Sequence, residues 1–551
     1  MTSRNARNVL FIMCDQLRHD YLGCYGHPTL KTPNIDRLAA RGLRFSRAYV
    51  QSTICGPSRM SAYTGRYVRS HGSSQNGVPL RIGEPTLGSH LREIGIRTVL
   101  AGKTHMRPDE EGMRRLGIDP ASPIGVETSQ CGFEPFERDD GLHPGTGRPE
   151  TAYDRYLRDH GFAADNPWEY WAASAGGPDG TSLDGWLLSH ADKPARIPAE
   201  HSETAYMTDR AMDFMRKARR DPEPWCLHLS YIKPHWPYIV PAPYHGLYGP
   251  DDVVPVLRGE AERTAPHPLH AAFQNERHSR VFASETARRR VIACYMGLIT
   301  QIDDQIGRLL DFMEAQALLD NTMIVFTSDH GDYLGDHWLG EKQMFHDASV
   351  RVPLIVCDPA AAADTTRGGV SDALVEMIDL APTFLEFLGG DPKPHVLEGR
   401  SLLPLLHGRT VDWRRFAISE YDYAWDTARL ETGRDVQECR MVMVVTRRWK
   451  YVHVPFMRPI LFDLENDPAE LEDLATNPAC GHILARMQAL LVSWYEAPRN
   501  RITVADDVIA RRTPLPGTDP FIEAGIKIGY WDEKELREQL ERQSGSPLRP
   551  G

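Results

Sequence analysis

The stretch Asn8-Val-Leu-Phe-Ile-Met-Cys-Asp15-Gln16 decides the fold: an unbroken apolar run, Val9 to Met13, closes on a carboxylate and an amide. Such a run reads as a strand buried on both faces, and the polar groups that follow it belong at the strand's carboxyl end. The same grammar recurs along the chain. Thr98 to Ala101 precedes Lys103 and His105, Cys226 to Tyr231 precedes Lys233 and His235, and Met323 to Thr327 precedes Asp329 and His330. Leu354 to Cys357 is a further strand, entered through Pro353, which is tolerable at a strand's start. Helix-like amphipathic stretches separate these runs, which predicts an α/β fold with a large mixed, mostly parallel sheet sandwiched by helices. In open α/β sheets the functional crevice lies beyond the carboxyl ends of the strands, so four strand tips are expected to deliver Asp, Lys and His to one rim. The order of the strands is not readable.

Outward from the strands, Thr32 to Gly42 reads as a helix: Thr32 can cap it, Pro33 suits its first position, and Gly42 can end it. Residues 110–200 are rich in Gly, Pro, Asp and Trp with little periodicity, and predict long loops and short helices shaping a pocket. Arg440 to Val445, Trp449 to Val454 and Pro459 to Leu464 read as closely spaced short strands, followed by a helix from Cys480 to Trp494. The expected organisation is a catalytic α/β domain over 1–400, a smaller C-terminal antiparallel α+β subdomain over 401–504, and an arm over 505–551. The arm is polar, with a charged helix-prone segment from Asp532 to Gln543, and suggests a homodimer or higher homo-oligomer.

Composition narrows the function. The 551 residues carry 63 Lys+Arg against 75 Asp+Glu, a net charge of −12, which argues against a nucleic-acid partner. No apolar run approaches the roughly 18 to 20 residues that span a bilayer, so no membrane partner is expected. The N-terminal residues Met-Thr-Ser-Arg-Asn-Ala-Arg lead straight into the first strand without a secretory pattern, and a cytoplasmic location is the expectation. The 9 cysteines are odd in number and scattered without a C-x-x-C pair, which signals neither a disulfide framework nor a zinc site.

The sharpest local feature is Cys55-Gly56-Pro57-Ser58-Arg59, followed by Thr64-Gly65-Arg66. Pro57 is suited to begin a helix, which would set Cys55 at its positive end, where negative charge is stabilised. Spacing alone leaves both a catalytic Cys55 and a plain buried thiol open. Asp15, Gln16, Asp329 and His330 form a plausible divalent-metal set if their strands are neighbours, the bland alternative being loop-starting caps. Lys342, in the loop after Asp329 and His330, can reach the same crevice or be a solvated loop lysine.

Taken in order, these motifs, with Thr32-Pro33-Asn34-Ile35-Asp36-Arg37-Leu38, Gly102-Lys103-Thr104-His105, Ser328-Asp329-His330-Gly331-Asp332 and Leu461-Phe-Asp-Leu-Glu-Asn-Asp-Pro468, resemble the type I sulfatase and phosphonate monoester hydrolase branch of the alkaline phosphatase superfamily. The resemblance spans roughly residues 8–475. It implies that Cys55 is oxidised to formylglycine by a formylglycine-generating enzyme, and that Arg59 holds the modified side chain. It implies one divalent metal ion, calcium or manganese, on Asp15, Gln16, Asp329 and His330, with Lys103, His105, His235 and Lys342 around the transferred group. Asn76 resembles an asparagine that contacts that group in phosphonate hydrolases. Three departures stand out: Tyr63 replaces a frequent leucine of the modification motif, Gln16 a second aspartate, and His330 an asparagine. The activity implied is hydrolysis of small-molecule sulfate esters of arylsulfatase type, with phosphonate monoester or phosphodiester hydrolysis as the alternative. A metal-binding protein without turnover is the reading from another class.

Overall fold

The computed structural model describes residues 7–220, 223–522 and 524–544. The main sheet is built from β1 (Asn8–Asp15), β2 (Leu43–Tyr49), β3 (Arg97–Gly102), β4 (Glu134–Arg138), β5 (Trp225–Pro234), β6 (Thr322–Ser328), β7 (Arg351–Cys357), β8 (Val370–Ser371) and β9 (Val375–Glu376). The strands lie in the order β8-β2-β7-β6-β1-β5-β3-β4, with β9 also paired to β2. From β6 to β4 every pairing is parallel, whereas β7 runs antiparallel to both β6 and β2. The sheet is therefore mixed and mostly parallel.

Side chains alternate across β1 and sort into two cores. Val9, Phe11 and Met13 pack with Met60 and Tyr63 of the helix α2 (Cys55–Thr64), while Leu10, Ile12 and Cys14 pack with Ile35 of α1 (Pro33–Arg41) and Ile302 of α3 (Glu285–Ala315). Helices thus cover both faces, which is why the central strands read as continuous apolar runs. A second, antiparallel sheet joins Ala417–Asp422, Arg440–Val445, Trp449–His453 and Ile460–Asp463. The helix Gly481–Glu496 packs Met487, Leu491 and Trp494 against its Val442, Val444 and Tyr451. Residues 110–200 hold short helices and part of a small sheet formed by Ser182–Asp184, Ser174–Gly176, Pro194–Ala195 and Val240–Pro241.

The chain divides into two compact units, Met1–Pro392 with Leu397–Ala497, and Lys393–Val396 with Pro498–Gly551. Within 505–551, read above as an arm, the described residues carry helices Asp506–Arg512 and Glu533–Ser544; residues 523 and 545–551 lie outside the described residues, as do 1–6 of the N-terminal reading. Among the described residues no helix is long and apolar enough to cross a membrane. All nine cysteines are free thiols.

Two local expectations need correction. Pro353 does not open its strand: β7 begins at Arg351, and the register shifts between Val352 and Leu354, so the proline sits at an irregularity where a ladder bond is already missing. Thr32 does not cap α1. Its Oγ1 accepts from the backbone N–H of Gly23 and donates to Asp36, and the free N–H groups of Asn34 and Ile35 donate instead to Asp303 on α3, at 3.1 and 2.8 Å. Burial pushes the Asp303 carboxyl up to about 6, against the lowering effect of those backbone bonds. Because the folded state then holds the proton more tightly than the unfolded chain, this group's contribution to stability falls as pH rises from about 4 through 6, by at most about 1.4 kcal/mol per pH unit. Asp303→Asn, which keeps an acceptor oxygen, is expected to remove that slope, as read from urea midpoints across this range.

Candidate active site

Because β1 lies between β5 and β6, the tips carrying Asp15 and Asp329 are adjacent: Cys14 pairs with Ser328, and the N–H of Asp329 donates to Cys14 O at 3.2 Å. The tip of β5 brings His235, and β3, beyond β5, brings Lys103 and His105. Cys55 arrives from the first residue of α2. The helix starts at Cys55 rather than at Pro57, which occupies its third position, where a missing N–H costs nothing because first-turn donors have no partner within the helix. The Gly56 N–H, another such donor, is met by Asn76 Oδ1 at 2.8 Å. A Cβ at Gly56 would lie 2.9 Å from that oxygen and 3.2 Å from Asn76 Cα, so the close approach needs a glycine.

The Cys55 Sγ lies 3.1 Å from His330 Nε2, 3.5 Å from Lys342 Nζ and 3.6 Å from Asp15 Oδ1. His105 and His235 also interact with the Cys55 side chain. Arg59, one turn along α2 and fully buried, donates from Nε to Asp329 Oδ2 at 2.7 Å and from Nη1 to Ser230 Oγ at 2.7 Å and Lys103 O at 3.0 Å; its Nη2 reaches Asp15 Oδ2 at 3.3 Å. Lys103 Nζ pairs with the same Asp15 carboxylate. Lys342 is buried, not solvated, and Nζ donates to Gln16 Oε1 at 2.9 Å.

Burial pushes the Cys55 thiol up, but Lys342, Lys103 and His330 outweigh it and hold the thiol well below its ordinary value. Burial and the Cys55 sulfur push Asp15 up, and Lys103, His235 and Arg59 together hold its carboxyl below the usual carboxylate range. Burial disfavours charged Lys103 and Lys342, yet the opposing charges of Asp15 and Cys55 raise both. Burial holds His235 below its ordinary value. Three buried cations, Arg59, Lys103 and Lys342, thus stand against two buried carboxylates and a thiol, a concentration of mutually perturbed groups of the kind that marks functional sites.

The donor set fits a divalent cation. One atom each from Asp15, Cys55, Asp329 and His330 lie within 4.8 Å of one another, all buried. Gln16 adds an amide whose orientation is fixed: Nε2 donates to Asp332 Oδ2 at 2.5 Å, which leaves Oε1 on the Lys342 side. Tyr238 donates to the same Asp332 oxygen at 2.5 Å. Asp332→Ala would free the amide to rotate, and a loss of about 10- to 100-fold in metal affinity is expected on titration, the usual effect of removing a partner that orients a ligand.

The sequence reading did not single out several residues that hold this arrangement. Ser230 and Tyr238 engage Arg59 and Asp332, and Asp140 Oδ1 accepts from the N–H groups of both Thr104 and His105 at 3.0 Å, fixing the turn that carries Lys103 and His105, the latter at φ 55°. Asp332 closes the quoted Ser-Asp-His-Gly-Asp motif, which was the one available signal. Tyr63, the departure in the modification motif, is buried and bonds His228 Nε2 of β5 at 2.8 Å; burial holds that imidazole neutral, with a pKa lowered to about 3.

Residues 7–390 match the family model described as Sulfatase. The chain belongs to the sulfatase family. Residues 335–496 of this sulfatase also match the model described as N-sulphoglucosamine sulphohydrolase, C-terminal. It is 34% identical over 511 residues to the multifunctional alkaline phosphatase superfamily protein PehA of Trinickia caryophylli, covering 89% of this chain and 95% of that one. It is 29% identical to an arylsulfatase of Clostridium perfringens, over 89% and 94% of the two chains. A phosphonate monoester hydrolase from Silicibacter pomeroyi superposes with a TM-score of 0.77 at 29% identity, covering 90% of this sulfatase and 96% of that chain. Its homologues are thus both sulfatases and phosphonate monoester hydrolases of the alkaline phosphatase superfamily.

Proposed function

We propose that this sulfatase hydrolyses small-molecule sulfate esters of arylsulfatase type, using a formylglycine made from Cys55 by a formylglycine-generating enzyme. One observation supports the reading above all: the side chain at position 55 stands at a helix N-terminus with Lys342, His330 and Asp15 within 3.6 Å, beside a pair of carboxylates bridged by Arg59. Asp15, Gln16, Asp329 and His330 would hold a divalent cation, calcium or manganese, which supplies Lewis acidity and lowers the pKa of a bound hydroxyl. A hydrated aldehyde at position 55 supplies one hydroxyl for attack and a second through which product is expelled.

The chain's own residues do the remainder. Arg59 fixes the two carboxylates and, through Lys103 O, the β3 tip. Lys103 and Lys342 offset the charge that moves onto the peripheral oxygens during in-line transfer. His235 or Lys342 gives its proton to the leaving alcohol, and His105 accepts one as product departs. Lys342→Ala, which removes a preorganised cation, is expected to lower kcat by about 100- to 1,000-fold in steady-state assays.

Phosphonate monoester or phosphodiester hydrolysis is the second reading. It is favoured by the likeness to the Silicibacter pomeroyi enzyme and by Asn76, whose Oδ1 is committed to Gly56 so that its Nδ2 is the atom left to meet a substrate oxygen. The test is kcat/KM on an aryl sulfate and on a phenyl phosphonate ester, with Cys55 modification quantified. A higher value for the sulfate is expected; the reverse order would establish the second reading, and no turnover of either would leave a metal-binding protein.

A further inference from the structure

Lys233 is buried one residue short of the end of β5, and the reaction described above does not use it. The strand is irregular there: Met13 pairs with Ser230 and Asp15 with Pro234, so β5 takes four steps where β1 takes two. Extra length of this kind leaves residues off the ladder and re-aims their side chains. Lys233 is turned back along its own loop, and Nζ donates to His235 O at 3.2 Å and to Pro237 O at 2.9 Å. Among the described residues no carboxylate comes within ion-pair distance of this ammonium. Burial pushes it below its ordinary value, and Glu203, on the helix Glu203–Ala218, offsets part of this from farther away. A buried charge held directly by backbone carbonyls is a costly way to pin a loop, since a neutral side chain would carry no such desolvation penalty.

The loop so pinned carries His235. Every polar atom of His235 except Nε2 is held within this turn: its N–H donates to Ile232 O at 3.2 Å, its carbonyl accepts from Lys233, and Nδ1 lies 2.8 Å from Trp236 O. A carbonyl only accepts, so Nδ1 carries the hydrogen of that bond. Nε2 is then the ring nitrogen left to interact with the Cys55 side chain. The Trp236 carbonyl lies between the two carbonyls that Lys233 grips, and the Trp236 ring rests against the imidazole with centroids 4.3 Å apart. Lys233 therefore fixes the carbonyl that fixes the ring, and groups that act on a substrate need their own supports held in this way.

We propose that Lys233 is the positioning residue for His235: its two bonds hold the Trp236 carbonyl in place, and through it the direction in which Nε2 presents a proton to the leaving alcohol. The proposal rests on the aryl sulfatase reading of the site, with His235 rather than Lys342 giving that proton. Lys233 touches neither the substrate nor the side chain at position 55 and acts only through the loop. Its loss leaves the nucleophile and the metal ligands where they are and lets the peptide planes of 235–237 turn, carrying the imidazole with them.

Two esters test it: p-nitrophenyl sulfate, whose leaving group departs with little help from a proton, and phenyl sulfate, whose leaving group needs one. Lys233→Met keeps the stem and removes the donors. It is expected to lower kcat on phenyl sulfate by about 10- to 100-fold and on p-nitrophenyl sulfate by less than about threefold, with KM unchanged on both. Turnover of the p-nitrophenyl ester also reports that the variant is folded. His235→Ala is expected to show the same selectivity, and Lys233→Met to add nothing in the His235→Ala background. Lys233→Arg, which keeps charged donors on a longer, planar group, is expected to fall between wild type and Lys233→Met, and it carries the test if the methionine variant does not fold. An equal loss on both esters, no loss on either, or an added loss in the His235→Ala background would overturn the proposal. A His235→Ala variant without the selectivity would overturn the reading of His235 as proton donor, and the proposal with it.

Discussion

Replacing Cys55 by alanine or serine is expected to lower multiple-turnover hydrolysis by about a thousandfold or more, the scale on which removal of a covalent nucleophile is felt. Alanine offers no nucleophile. Serine offers one hydroxyl, sufficient for a first attack but without the second hydroxyl that releases product, so its expected signature is a single stoichiometric burst followed by silence. Both side chains are close in size to the buried cysteine, and Gly56, Asn76 and Arg59 keep their partners, so the fold is expected to be retained. Full steady-state activity in either variant would refute the aldehyde mechanism.

Arg59→Met is expected to carry the largest cost in stability. The guanidinium is completely buried and joins two carboxylates that are themselves completely buried, Asp329 at 2.7 Å and Asp15 at 3.3 Å, while also bonding Ser230. Methionine fills much of the volume but leaves those carboxylates with less compensating charge, and breaking a buried pair by removing one partner costs about 3–5 kcal/mol. Arg59→Lys restores the charge as a point without the planar fork, so it is expected to recover only part of the loss. Urea unfolding of metal-stripped protein measures both. An Arg59→Met variant within about 1 kcal/mol of wild type would show that the carboxylates do not depend on this bridge.

What could be read without coordinates follows from which information is local. The central strands were legible because burial on both faces writes itself as a continuous apolar run, and the groups after them were legible because a strand tip is a position in sequence. The strand β2 was missed: Leu43-Arg-Phe-Ser46 alternates apolar and polar residues, but Arg47 breaks the period before Ala48 and Tyr49, so neither an unbroken run nor a sustained alternation marks it. Thr32 and Pro57 mislead for a shared reason. Each has the right chemistry for a helix start, but Asp303 of α3 supplies the cap that Thr32 does not, and packing rather than proline decides where α2 begins.

Apart from Asp332, which closes the Ser-Asp-His-Gly-Asp motif, the partners that orient the site lay beyond local reading, and even its pairings did. Gln16 meets Asp332 across 316 positions, Tyr238 meets Asp332 across 94, and Arg59 meets Ser230 across 171. Such pairs leave no spacing signal, since they exist only once β1, β5 and β6 are side by side.

The central claim is most directly tested by mass spectrometry of the peptide containing Cys55, taken from a preparation whose turnover has been measured. Loss of the sulfur and gain of an aldehyde oxygen, in a fraction that rises in step with specific activity, is the predicted result. A fully active preparation whose residue 55 is an intact thiol would contradict it.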